Sequence, residues 1–79
     1  MVYMADGRVF PPHAEADESV LSALPVKNSR LGIIDPHISS VSGRNVFDLF
    51  VEVPLSDGSH CHIVKEYGVD EISEQFTLS

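Results

Sequence analysis

Two runs rich in β-branched and aromatic residues, Asn45 to Pro54 and Ser59 to Tyr67, are separated by Leu55-Ser56-Asp57-Gly58, and nothing else in the chain restricts its fold as much. Such a pair predicts an antiparallel hairpin. Ser56-Asp57-Gly58 fits a three-residue loop, a type I turn followed by glycine in the left-handed region that only glycine enters without steric cost. That loop sets Leu55 opposite Ser59, and so Val53 opposite Cys61, Val51 opposite Ile63, Leu49 opposite Lys65 and Phe47 opposite Tyr67. These positions form one largely apolar face. The other face takes Asp48, Phe50 and Glu52 beside His62, Val64 and Glu66, half polar and half apolar. A two-residue loop would shift the pairing by one and mix the faces. Pro54 donates no ladder hydrogen bond and argues that its strand end lies at an edge.

The rest of the chain offers weaker signals. Asp6-Gly7 between the short apolar pieces Tyr3-Met4 and Val9-Phe10 predicts a small N-terminal hairpin, which Pro11-Pro12 ends. A helix is expected over Ala14 to Leu24: Glu15, Asp17 and Glu18 suit its early turns, Val20, Leu21 and Leu24 share a face, and Pro25 stops it. Residues 25–44 are rich in turn signals, Asn28-Ser29, Asp35-Pro36, Ser39-Ser40 and Ser42-Gly43, and leave room for one short strand around Leu31 to Ile34. After Gly68, the spacing of Val69, Ile72 and Phe76 against Asp70, Glu71 and Glu74 predicts a short acidic helix, with a last strand over Gln75 to Leu78 as the alternative. The expectation is a single α+β domain over 1–79. It has the C-terminal antiparallel hairpin at the centre of a short sheet, one N-terminal helix and a short C-terminal helix.

Length and charge narrow the function classes. A chain of 79 residues hides only about 60% of its unfolded surface, and one cysteine excludes an internal disulfide, so self-association or a partner is an open route to stability. No apolar run approaches the roughly 20 residues of a membrane helix. The N-terminus lacks the pattern of a signal peptide, and a reducing, cytoplasmic setting is the default expectation. The formal charge is −7, and residues 45–79 hold seven acids against Lys65 alone. A field of that sign repels nucleic acid and anionic lipid and attracts basic surfaces.

Side chains with chemical potential are few. His60-Cys61-His62 contains preferred zinc ligands, but strand alternation lets His60 and His62 point together while Cys61 turns to the other side. Glu52, opposite His62, is the one further ligand at hand, so His60, His62 and Glu52 are the metal candidates. The plainer reading is two exposed histidines and a buried cysteine acting as a small apolar group. Cys61 has its flanking histidines on the other face, the serines in and beside turns suit local hydrogen bonding, and the chain contains no phosphate loop, no CxxC and no basic patch interleaved with aromatics. No catalytic residue and no cofactor is expected. Phe50 and Val64 are either covered by the N-terminal helix or form an exposed apolar patch ringed by Asp48, Glu52 and Glu66.

Three functions follow. The first is a small acidic protein-binding module, an inhibitor in type, that occupies a basic, nucleic-acid-binding surface of a partner through Asp48, Phe50, Glu52, Glu66, Asp70, Glu71 and Glu74. A second is a structural or accessory subunit that self-associates through the hairpin as a homo-oligomer. The third is a His/Glu metal-binding protein.

Overall fold

A computed structural model describes residues 1–27 and 29–71 of the chain. Val2–Met4 (β1) and Val9–Phe10 (β2) pair across the Asp6-Gly7 turn, where Gly7 has φ 90° and the Asp6 carboxylate accepts from the Arg8 amide and guanidinium. Leu31–Ile38 forms β3, Asn45–Pro54 β4 and His60–Gly68 β5. In the hairpin of β4 and β5 the register is the one the loop dictates: Val53 faces Cys61, Val51 faces Ile63, Leu49 faces Lys65 and Phe47 faces Tyr67. Gly58 takes φ 89°, and the Leu55 amide donates to the Ser59 carbonyl at 2.8 Å.

All five strands join one antiparallel sheet in the order β2-β1-β5-β4-β3. This corrects the α+β expectation of a C-terminal hairpin framed by N-terminal and C-terminal helices. Strands make up 46% of the described residues, and only two short helical elements lie wholly within them. The expected helix over Ala14 to Leu24 shrinks to α1, Glu18–Ala23, followed by a 3₁₀ turn at Leu24–Val26. The reason is local. Asp17 takes an extended backbone, and its carboxylate accepts from the Ser19 amide at 3.0 Å, so helical geometry cannot begin before it. The short strand expected near Leu31 becomes eight residues, because Asp35-Pro36 is absorbed as a bulge rather than a turn. Proline is tolerated there since β3 is an edge strand. Of the expected C-terminal helix, residues 69–71 are helical, whereas Ile72, Glu74, Phe76 and the alternative strand over Gln75 to Leu78 fall outside the described residues.

Residues 11–30 carry the chain from one sheet edge, β2, to the other, β3, and so lay α1 across one face. Val20 and Leu24 pack there on Tyr3, Ile34, Phe50 and Val64. Gly32 on β3 leaves space for the Phe50 ring, whose carbons stand 3.0 Å from where a Cβ would sit. The covered face is thus the half-polar one. The largely apolar face stays open, and Phe10, Leu31, Ile33, Ile38, Leu49, Val51 and Ile63 remain 39–71% exposed on it. A radius of gyration of 13.4 Å, against about 12 Å expected for a compact chain of this length, agrees with a sheet covered on one side.

Candidate functional site

The bulge in β3 creates the most unusual side-chain arrangement in the molecule. Ile34 pairs with Asp48 and His37 with Val46, so three steps along β3 match two along β4. Strict alternation would send His37 to the open face with Leu31 and Ile33. The extra residue turns it inward instead, onto the face that carries Asp48. His37 Nε2 then stands 2.9 Å from Asp17 Oδ2 and 3.5 Å from Asp48 Oδ2. Its Nδ1 lies 2.7 Å from the Asp35 carbonyl, which can only accept, so Nδ1 carries a proton.

Both carboxylates are withdrawn from water. Asp17 caps α1, receiving the Ser19 amide on Oδ1 with the Ser40 amide and hydroxyl 3.5 Å away, while its own amide donates to Tyr3 Oη at 3.2 Å. Ser40 Oγ in turn accepts from the Glu18 amide at 2.9 Å, which ties the β3–β4 turn to the helix start. Burial alone would raise the Asp17 carboxyl, but hydrogen bonds from His37, Ser19 and Ser40 outweigh it and hold the group below its ordinary value. Asp48, 2% exposed, receives no such help: burial pushes it up to about 6, with His37 opposing and Glu66 and Asp17 adding to the rise. Burial likewise disfavours the His37 imidazolium, yet the Asp35 carbonyl and Asp17 carboxylate leave it raised above the usual histidine range. A cleft of about 440 Å³ lies over Asp17 and Asp48 and is also lined by Met1, Tyr3, Lys65 and Glu66.

The residues expected to bind a partner are dispersed. Asp48 and Phe50 are buried beneath α1, so they cannot belong to an exposed patch, and of the two alternatives for Phe50 and Val64 helix cover holds. Their inward position follows from the crossover segment choosing that face. Glu52 is half-buried and Glu66 exposed. Asp70 and Glu71 are exposed beyond β5, Glu71 lying 3.4 Å from the Arg44 guanidinium, and Glu74 is outside the described residues. The metal candidates do meet in part: Glu52 faces His62 in the register, with Oε2 3.6 Å from His62 Nε2 and Oε1 3.9 Å from His60 Nε2. Each carboxylate oxygen serves one ring, and His60 is exposed.

Sequence reasoning missed Asp17 and His37 as site residues. The available signal was Pro36 inside an apolar run, which in a strand marks a bulge and hence a re-aimed neighbour. No family model, no curated protein and no solved structure matches the chain. No helix among the described residues is long and apolar enough to cross a membrane.

Proposed function

We propose that the protein is a self-associating, non-catalytic module whose open sheet face packs against the same face of a second copy. The observation that carries this is the placement of seven large apolar side chains, Phe10, Leu31, Ile33, Ile38, Leu49, Val51 and Ile63, on one uncovered face spanning β2, β1, β5, β4 and β3. By register, its charged positions are Lys65 and, at the bulge, Asp35. A chain of charge −7 thus sets one acid against one base on this surface, which suits apolar contact and offers a basic partner little to grip.

Area and stability favour a second copy. Three strands about 30 Å long at ~4.8 Å spacing present roughly 450 Å² in projection, and side-chain relief brings this toward the ~800 Å² that a standard interface takes from each partner. Among the described residues, the apolar cluster beneath α1 holds six buried side chains, Tyr3, Val20, Leu24, Ile34, Phe50 and Val64. A domain with so little buried needs a permanent cover, and another copy of the chain is the partner always present in equal amount. Two such faces stacked at about 10 Å form a β-sandwich. Docking of carboxylates onto a basic surface has less support, since Asp48 is buried and Glu71 is paired with Arg44. A cytoplasmic setting, where Cys61 stays a thiol, belongs to the same reading.

Sedimentation velocity across a hundredfold concentration range tests it. The native chain is expected to run as a dimer, and the double variant Val51→Lys, Ile63→Lys as a folded monomer with an unchanged far-UV spectrum. A native chain that stays monomeric at the highest concentration refutes the proposal and leaves the face to a different protein.

A further inference from the structure

We infer that Asp17, His37 and Asp48 form a binding site for one divalent transition-metal ion of the zinc class, independently of how the open sheet face is covered. The donor atoms are one imidazole nitrogen and two carboxylate oxygens, all within 4.8 Å of one another. His37 Nδ1 holds its proton against the Asp35 carbonyl, while Nε2 donates to Asp17 Oδ2 at 2.9 Å and lies 3.5 Å from Asp48 Oδ2, so an entering ion displaces the Nε2 proton and takes up the lone pair it frees. Once that proton has left, three lone-pair donors converge in a buried space and repel one another unless a cation lies between them. Asp48 Oδ2 supplies the independent sign of a missing partner: it is fully buried and has no hydrogen bond among the described residues. A buried carboxylate oxygen without a partner is uncommon in native proteins.

The spacing suits a small ion. Ligand bonds of about 2.0–2.2 Å place neighbouring donors roughly 3.0 Å apart around an octahedral centre and roughly 3.4 Å around a tetrahedral one, and the gaps of 2.9 and 3.5 Å from Nε2 bracket these values. The Nδ1 proton on a backbone carbonyl is the outer-shell contact that orients metal-bound histidines. Imidazole with two carboxylates selects a borderline ion such as zinc or cobalt over calcium, which takes six to eight oxygens. Three protein ligands leave a position for water from the cleft lined by Tyr3 and Glu66. The ligands come from the α1 cap, the β3 bulge and β4, so the ion would clamp helix to sheet.

The test titrates zinc into the full chain after chelator treatment, by calorimetry and thermal melting. One ion per chain is expected, with a melting temperature that rises until one equivalent is bound. Asp48→Asn and His37→Gln should each weaken binding by more than the about 10- to 100-fold typical of outer-shell changes. The double variant His60→Ala, His62→Ala should bind as the native chain does, which keeps the test decisive if the first two fold poorly. Cobalt should give visible d–d bands without a thiolate charge-transfer band, since Cys61 is not a ligand. A flat titration, with His37 titrating by NMR as a histidine that no metal displaces, would assign the gap to a shared proton and overturn the inference. So would binding that survives Asp48→Asn but is lost with His60 and His62.

Discussion

Asp48 makes the stability of this protein fall as pH rises through the acidic range, and the size of the fall follows from where the group sits. In the unfolded chain its carboxyl titrates at 3.8, whereas in the fold burial pushes it up to about 6. Between those values the folded state holds a proton that the unfolded state has lost, so the contribution is complete below 3.8 and gone above about 6. Two pH units at about 1.4 kcal/mol each amount to roughly 3 kcal/mol. That is most of the margin of so small a core, about 3 to 5 kcal/mol. His37 has the same sign, its raised value extending the decline upward through neutral pH. Asp17 has the opposite sign, because its carboxyl is lowered, and it acts only as pH falls below 3.8. Urea denaturation followed by far-UV circular dichroism, in chelator from pH 4 to 7.5 and at one protein concentration, should show the native chain losing stability across the range. Asp48→Asn, which keeps shape without a charge to desolvate, should flatten the segment between pH 4 and 6 and exceed the native chain by up to about 3 kcal/mol at pH 7. Native stability that climbs from pH 4 to 6, or a slope unaltered by Asp48→Asn, would refute the reasoning.

Two glycines carry predictions of different origin, both read from urea midpoints. Gly32→Ala sets a methyl 3.0 Å from the Phe50 ring carbons and should destabilise by about 1–3 kcal/mol through overpacking, with recovery in the double variant carrying Phe50→Leu. Gly58→Ala meets no neighbouring atom, yet φ 89° strains any side chain, and a loss of about 1–2 kcal/mol with the hairpin register unchanged is expected.

The register of β4 and β5 was legible because a three-residue loop ending in glycine leaves one pairing that keeps apolar residues together. Asp6-Gly7 specified the N-terminal turn for the same reason. Which face would be buried was not legible. Alternation tells two faces apart, but the choice between them lay with the path of residues 11–30 over the sheet, a long-range matter that no local pattern encodes. The cluster was hidden twice: Asp17 read as one acid in a helix start, and His37 stood after an Asp-Pro pair that resembled a turn. Pro36 hinted at a bulge, and the paired strand shows that Asp35-Pro36 inserts a residue without leaving the sheet.

The sheet's outer strands also limit what assemblies can grow from it. β2 is two residues long, and β3 is kinked by its bulge and carries a proline with no amide hydrogen to offer. Both rims are poor templates for a further strand, which disfavours lateral polymerisation into ribbons. The proposed stacking through the remaining surface would use it up in one event, so such a complex would close at a finite size instead of extending into a fibre.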